Sequence, residues 1–155
     1  MAGKVKAIPE GYHTVTPYLI VHDGNQAIDW YQRAFDASER MRYPMPGGKL
    51  GHAEVQIGDS RIMLADEFPK MGIRGPKTLG GSPVSILLYV EDVDARVSLA
   101  IAAGATVLRP LKNQFYGDRS ATLADPFGHV WTIASHVEDL TPEEMKKREA
   151  AEYGK

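Results

Sequence analysis

From Leu50 to Ile57 the chain alternates: polar His52, Glu54 and Gln56 interleave with apolar Ala53, Val55 and Ile57. Period-2 alternation marks a half-buried strand. Gly58-Asp59 then predicts a tight turn into a second strand over 61–65. Upstream, Val15, Leu19, Ile20 and Val21 predict a strand over 15–21, with Pro17 near its start, where a missing N–H costs least. Ala27, Ile28, Tyr31 and Phe35 recur at helical spacing, which predicts a helix over 26–35 capped by Asp23 or Asn25. A short strand is expected over 39–43, ended by the turn Pro44-Met45-Pro46-Gly47-Gly48. Residues 66–83 then break every period. Phe68-Pro69, Gly72, Gly75-Pro76 and Gly80-Gly81-Ser82-Pro83 predict a long loop with little regular structure, either a linker or a functional lid.

After that loop the pattern returns. It predicts a strand over 84–90, an N-cap at Asp92, a helix over 93–103 stopped by Gly104, and strands over 106–111, 119–124 and 129–136. A polar loop is expected over 112–118, and the turn Asp125-Pro126-Phe127-Gly128 separates the last two strands. Thr16 aligns with Ser85, Val21 with Val90 and Asp23 with Asp92, each 69 positions apart (85 − 16, 90 − 21, 92 − 23). Each half therefore reads strand–helix–strand–strand–strand. One such unit leaves a sheet face bare, so two must pair. The expected fold is α+β: two βαβββ units paired into a curved mixed sheet that encloses a cup. Thr141-Pro142-Glu143-Glu144 adds a capping box and a first-turn proline, predicting a C-terminal helix. The layout expected is an arm over 1–13, units over 14–67 and 84–137, a linker over 68–83 and a helical tail over 138–155.

Composition narrows the chemistry. The 155 residues are 43% hydrophobic, enough to bury a core. Eighteen basic against twenty acidic side chains leave a net charge of −2, no footprint for nucleic acid or an anionic membrane. With no cysteine, a disulfide scaffold, a thiolate zinc site and a cysteine nucleophile are excluded together. No signal peptide is read at the N-terminus and no apolar run is long enough to span a bilayer, so a soluble, cytoplasmic protein is expected.

Several local motifs carry a resemblance. Val15-Thr16-Pro17-Tyr18-Leu19, Trp30-Tyr31-Gln32-Arg33-Ala34-Phe35 and Gly51-His52-Ala53-Glu54 lie in the first half. Leu88-Tyr89-Val90-Glu91-Asp92-Val93-Asp94, Tyr116-Gly117-Asp118-Arg119 and Asp125-Pro126-Phe127-Gly128-His129-Val130-Trp131 lie in the second. Together with the duplicated unit, they resemble the vicinal oxygen chelate superfamily of glyoxalase I, bleomycin-resistance proteins and extradiol dioxygenases. Within it they look like the subgroup named for phosphonate-operon proteins. The resemblance implies the paired fold strongly and the reaction hardly at all, because one fold hosts many chemistries. It also implies where a metal would be held: at Thr16 and Met63 or a neighbour in the first half, and at Ser85 and Thr132 in the second. None of these is a good ligand for a divalent ion.

His52 and Glu54, two apart on a strand, project to one face and form the candidate catalytic pair. They are also the alternative metal ligands, with a third to come from His136, Asp66 or Glu67. Arg119, roughly aligned with His52 in the repeat, is expected either to point into the cup and fork a carboxylate or phosphonate, or to form a structural ion pair with Asp118, Asp125 or Glu54. Tyr18, Gln56, Tyr89 and Tyr116 complete the expected ligand-binding set, whereas Trp131 has the parity of a residue packed under a helix. Gly75-Pro76-Lys77-Thr78 is not a phosphate loop, since proline replaces a needed N–H. The expected protein is a homodimer that binds a small molecule, anionic ones included, without a cofactor or the superfamily's metal centre. A metal-assisted lyase or isomerase using His52 and Glu54 is the alternative. An interaction protein working through the 66–83 loop or the C-terminal helix is the third reading.

Overall fold

The computed structural model describes residue 3 and residues 5–154. The expected arm therefore lies partly outside the described residues. The chain divides between Gly81 and Ser82 into two compact units. In the first, β1 (Tyr18–Val21), β2 (Ser38–Pro44), β3 (Leu50–Ile57) and β4 (Ser60–Asp66) form a mixed sheet in the order β1-β4-β3-β2, with helix α1 (Gly24–Phe35) after β1. The β1–β4 pair is parallel and the other pairs are antiparallel.

One face of this sheet is closed by α1. Leu19, Val21, Ala53, Val55, Ile62 and Leu64 are buried, as are Ile28, Tyr31 and Phe35 of the helix. The Asp23 side chain caps α1 by accepting from the Gln26 N–H at 3.0 Å, which decides between the two expected caps. Asp66, at the end of β4, reinforces this junction from below. Its carboxylate accepts from the Gly24 N–H and, at 2.7 Å, from the Leu50 N–H, so the buried charge meets two otherwise orphaned donors. β1 is shorter than expected because Pro17 has no N–H to donate to a ladder, although its carbonyl still accepts from Met63.

Residues 66–83 are more regular than their breakers predict. Pro69–Met71 forms one 3-10 turn and α2 (Pro76–Leu79) forms one helical turn, with a bridge between Phe68 and Ile73. Each proline occupies a first-turn position and each turn ends in a glycine at positive φ, Gly72 at 76° and Gly80 at 86°. The residues read as breakers thus start and stop single turns. Glu67 pins the segment, accepting from the Gly75 N–H at 3.0 Å and from the Thr78 hydroxyl. Gly75 lies so close to β1 that an added Cβ would sit 2.9 Å from the Ile20 carbonyl oxygen.

The second unit repeats the plan. β5 (Ser85–Tyr89), β6 (Thr106–Asn113), β7 (Asp118–Ala124) and β8 (Val130–His136) form a sheet in the order β5-β8-β7-β6. Helix α3 (Val93–Ala102), capped by Asp92 through the Ala95 N–H, contributes buried Val93, Val97 and Ala100. The chain closes with α4 (Pro142–Tyr153), whose Thr141–Glu144 capping box is fully formed. β6 runs to Asn113, two residues further than expected; as an edge strand it tolerates Pro110 and is bulged on both sides of Arg109. This is an α+β fold of two βαβββ units with a C-terminal helix.

The repeat slips by one residue inside the second unit. Tyr18 pairs with Met63, and Leu87 with Thr132, so both partners keep the spacing of 69 (87 − 18, 132 − 63). Across the next pairing Met63 faces Glu54 and Thr132 faces Thr122, only 68 apart (122 − 54). The β7–β8 turn accounts for this: Asp125 bonds His129, four residues on, where Ile57 faces Ser60, three residues on. Asp125 organises the longer turn, accepting from the Phe127 and His129 N–H groups and from the Trp131 indole, each at 2.9 Å.

Candidate ligand site

In the first unit the face turned away from α1 carries Tyr18 and Ile20 of β1, His52, Glu54 and Gln56 of β3, and Arg61 and Met63 of β4. The strand parity puts them there, and hydrogen bonds join the polar ones into a chain. The Tyr18 hydroxyl lies 2.8 Å from His52 Nδ1, and His52 Nε2 lies 3.3 Å from Glu54 Oε1. Arg61 holds the far end, with one guanidinium nitrogen 3.7 Å from Glu54 Oε2 and its Nε donating to Gln56 at 2.7 Å.

Charge orders this chain. The Glu54 carboxyl is held below the usual carboxylate range by the neighbouring Tyr12 hydroxyl first, and then by His52 and Arg61, against burial. Tyr12 is raised chiefly by burial. Its hydroxyl is enclosed, completes no hydrogen bond of good geometry among the described residues, and its ring carries the Arg61 guanidinium at 5.2 Å. An ionised Glu54 only accepts, so it takes the Nε2–H of His52. Nδ1 is then the acceptor for the Tyr18 O–H. Burial, followed by Glu54, raises Tyr18, so its phenol stays protonated. It is a donor to His52 with lone pairs left for a ligand.

Tyr18 also faces a cavity of about 590 Å³. Ile20, Gly51, Ala65 and Asp66 line it from the sheet, Met45 from the β2–β3 turn, and Phe68, Met71 and Ile73 from the 66–83 segment. This is a largely apolar, small-molecule-sized space with two oriented polar groups, the Tyr18 hydroxyl and the Asp66 carboxylate, the latter already accepting from the Gly24 and Leu50 N–H groups. An added Cβ at Gly51 would lie 2.8 Å from the Met45 side chain, which would have to shift. Lys49 ties the segment down, donating to the Glu67 carbonyl at 2.9 Å with its ammonium 5.0 Å from the centre of the Phe68 ring.

The second unit places its expected residues differently. Arg119 has the parity of the α3 side. It forks Asp94, on the first turn of α3, through two 2.8 Å hydrogen bonds and adds Asn113 at 3.2 Å. Of its two expected placements, the structural pair is the observed one, though with Asp94 as partner. The one-residue slip is the reason: Arg119 occupies the place of Gly51, and Ser120 that of His52 (120 − 52 = 68). Tyr89 does lie on the open face, where its hydroxyl donates to Asp118 at 2.9 Å. Asp118 is buried and its other oxygen meets His136 Nδ1 at 2.8 Å, while His136 Nε2 meets Asp139 at 2.8 Å. Tyr116 precedes this cluster on the β6–β7 turn, edge-on to Phe115, which in turn meets Tyr153 of α4. Trp131 is buried, as its parity requires.

Sequence reasoning named His52, Glu54 and Gln56 but passed over Arg61, Tyr12 and the apolar lining. Arg61 faces Gln56 across the Gly58-Asp59 hairpin. That register was the one signal that could have found it.

The metal positions implied by the resemblance do not fit a metal. They fall on Thr16, whose hydroxyl bonds the His13 carbonyl, on the Met63 thioether, on Ser85, and on Thr132, whose hydroxyl bonds Thr122. Neutral hydroxyls and one thioether supply no charge to offset a dehydrated divalent ion. Among the described residues no three His, Cys, Asp or Glu side chains converge as ligands, so within the first unit His52 and Glu54 gain no third partner from Asp66 or Glu67.

Comparison with known proteins agrees with this architecture. An uncharacterised protein of Mycobacterium bovis is 45% identical over 135 residues, covering 85% of this chain and 89% of its own. The crystal structure of TioX from Micromonospora sp. ML1 matches with a TM-score of 0.63 and 26% identity, covering 81% of this chain and 99% of that one. A mutant of the fosfomycin resistance protein FosX from Listeria monocytogenes, complexed with Mn(II) and a dihydroxypropylphosphonic acid, matches with a TM-score of 0.62 and 21% identity over 88% of this chain and 97% of that one. This last likeness speaks for the fold alone. Residues 12–133 match the family pattern of the glyoxalase/bleomycin resistance protein/dioxygenase superfamily, and with the duplicated βαβββ unit they place the chain in that superfamily as a member.

Proposed function

We propose that the protein binds a small organic molecule in the cavity of its first unit and holds it without the superfamily's metal centre. One observation carries this reading: an apolar cavity of about 590 Å³ is floored by the sheet and flanked by the 66–83 segment, and it has one oriented hydroxyl, Tyr18. Apolar contacts supply affinity there and Tyr18 supplies orientation. The His52–Glu54–Arg61 chain fixes that hydroxyl in place. Arg119, forked to Asp94, is not a ligand contact in this proposal. The large exposed side chains Tyr18 and Tyr43 on the first unit, and Leu87 and Tyr89 on the second, support a homodimer that covers part of each unit's exposed apolar surface.

The Tyr18–His52–Glu54 chain also favours a second reading, acid–base catalysis by a lyase or isomerase. A neutral imidazole oriented by a carboxylate is a competent proton acceptor. Mass spectrometry of small molecules retained by the protein from a bacterial metabolite extract tests the first reading. His52→Ala separates the two: binding retained with no turnover to lose supports a binding protein, and turnover lost with binding intact supports the enzyme.

A further inference from the structure

A second site is built into the open face of the other unit. Leu87, Thr132, Thr122 and Arg109 are successive partners across β5, β8, β7 and β6, so they form one row on that face. A cavity of about 320 Å³ opens over the row, lined by Ser85, Arg109, Thr122 and Thr132 together with Pro83 and Leu108. The bulges on either side of Arg109 set its register against Thr122. Bulges commonly re-aim a side chain in this way.

The chemistry of the row is one-sided. Among the described residues the Arg109 side chain has no hydrogen bond or ion pair, and no carboxylate lines the cavity. The Thr122 and Thr132 hydroxyls lie 3.1 Å apart and share one hydrogen bond. Two hydroxyls carry two protons, so one O–H remains to donate outward. Ser85 adds another hydroxyl at the same wall. A guanidinium fork beside free O–H donors, with no acid to neutralise them, matches an acceptor-only group.

We infer that this cavity binds the oxyanion of a small molecule, a carboxylate or a phosphate group, with Arg109 as the fork and the one outward O–H of the Thr122–Thr132 pair, together with Ser85, as the orienting donors. The inference stands apart from the Tyr18 cavity, since none of its residues belongs to the first unit.

An NMR titration of the full chain with inorganic phosphate, and separately with acetate, at constant ionic strength tests it. The site gives saturable shifts at the Thr122, Thr132 and Ser85 amides with at least one anion, and the preferred anion tells a tetrahedral from a planar group. Loss of a charge-assisted fork in Arg109→Gln weakens that binding about tenfold or more, while Arg33→Gln on α1 leaves it unchanged. Because Arg109 has no hydrogen bond or ion pair to lose among the described residues, the rest of the variant's spectrum stays in place, which confirms its fold. No saturable shift with either anion, or equal saturation in Arg109→Gln, overturns the inference.

Discussion

The Tyr18 hydroxyl sits 2.8 Å from Nδ1 of His52, and Glu54 sits on the opposite nitrogen at 3.3 Å. The imidazole is therefore held between a donor and an acceptor that demand one tautomer, Nε2–H. Long-range 1H–15N spectra of the wild-type imidazole should show Nε2 protonated and Nδ1 as acceptor. Glu54→Gln should mix the tautomers, because a carboxamide can donate or accept, and Tyr18→Phe should shift Nδ1 alone. A wild-type imidazole protonated at Nδ1 would reverse the direction of the chain.

Glu54 also links this chain to stability. Its carboxyl is held below the usual range by Tyr12 first and then by His52 and Arg61, so folding favours the ionised form. The stabilisation is complete above the unfolded carboxylate pKa of about 4.3 and is lost as pH falls through the lower folded value. Urea unfolding of wild type and Glu54→Gln should therefore differ by a constant amount at neutral pH, with the gap closing in acid. A gap that widens in acid would contradict the assignment.

His136 has the opposite sign. Asp118 first, then Asp139, raises its pKa, because both ring nitrogens donate to carboxylates. Its contribution is present below the unfolded histidine pKa and disappears as pH rises through the higher folded value. The C2 proton of His136 should titrate above the ordinary histidine range, and Asp139→Asn should bring it down.

Asp66 makes the first unit depend on one buried carboxylate. Asp66→Ala leaves the buried Gly24 and Leu50 N–H groups without their acceptor. The cost should be about 2–6 kcal/mol, at roughly 1–3 per orphaned donor. The urea midpoint should fall with the slope unchanged. Asp66→Asn, which keeps one acceptor oxygen, should lose less.

Much of the fold could be read in the chain because the hydrophobic period changed cleanly from 2 to 3.6 and back, twice, and because Asp23 or Asn25 marked one helix start and Asp92 the other. The polar row of β3 was legible for the same reason, since His52, Glu54 and Gln56 alternate with buried partners. Arg119 was not. A single added residue in the Asp125–His129 turn flips the parity of β7, and a repeat counted at constant spacing is blind to that. The same slip puts Thr122 on the open face opposite Arg109. The cavity was hidden for a different reason. Its Phe68, Met71 and Ile73 lie in a segment whose prolines and glycines mask two single turns.

The cavity claim is tested most directly by melting curves measured in a chelator across a broad library of small metabolites. Wild type is compared with two variants that fill the cavity from its floor, Ala65→Phe and Ile20→Trp. At least one compound should raise the wild-type Tm in chelator, by the linkage of binding to folding, and should fail to raise it in either variant. Stabilisation that vanishes in chelator, that persists with the cavity filled, or that no compound produces would contradict the account.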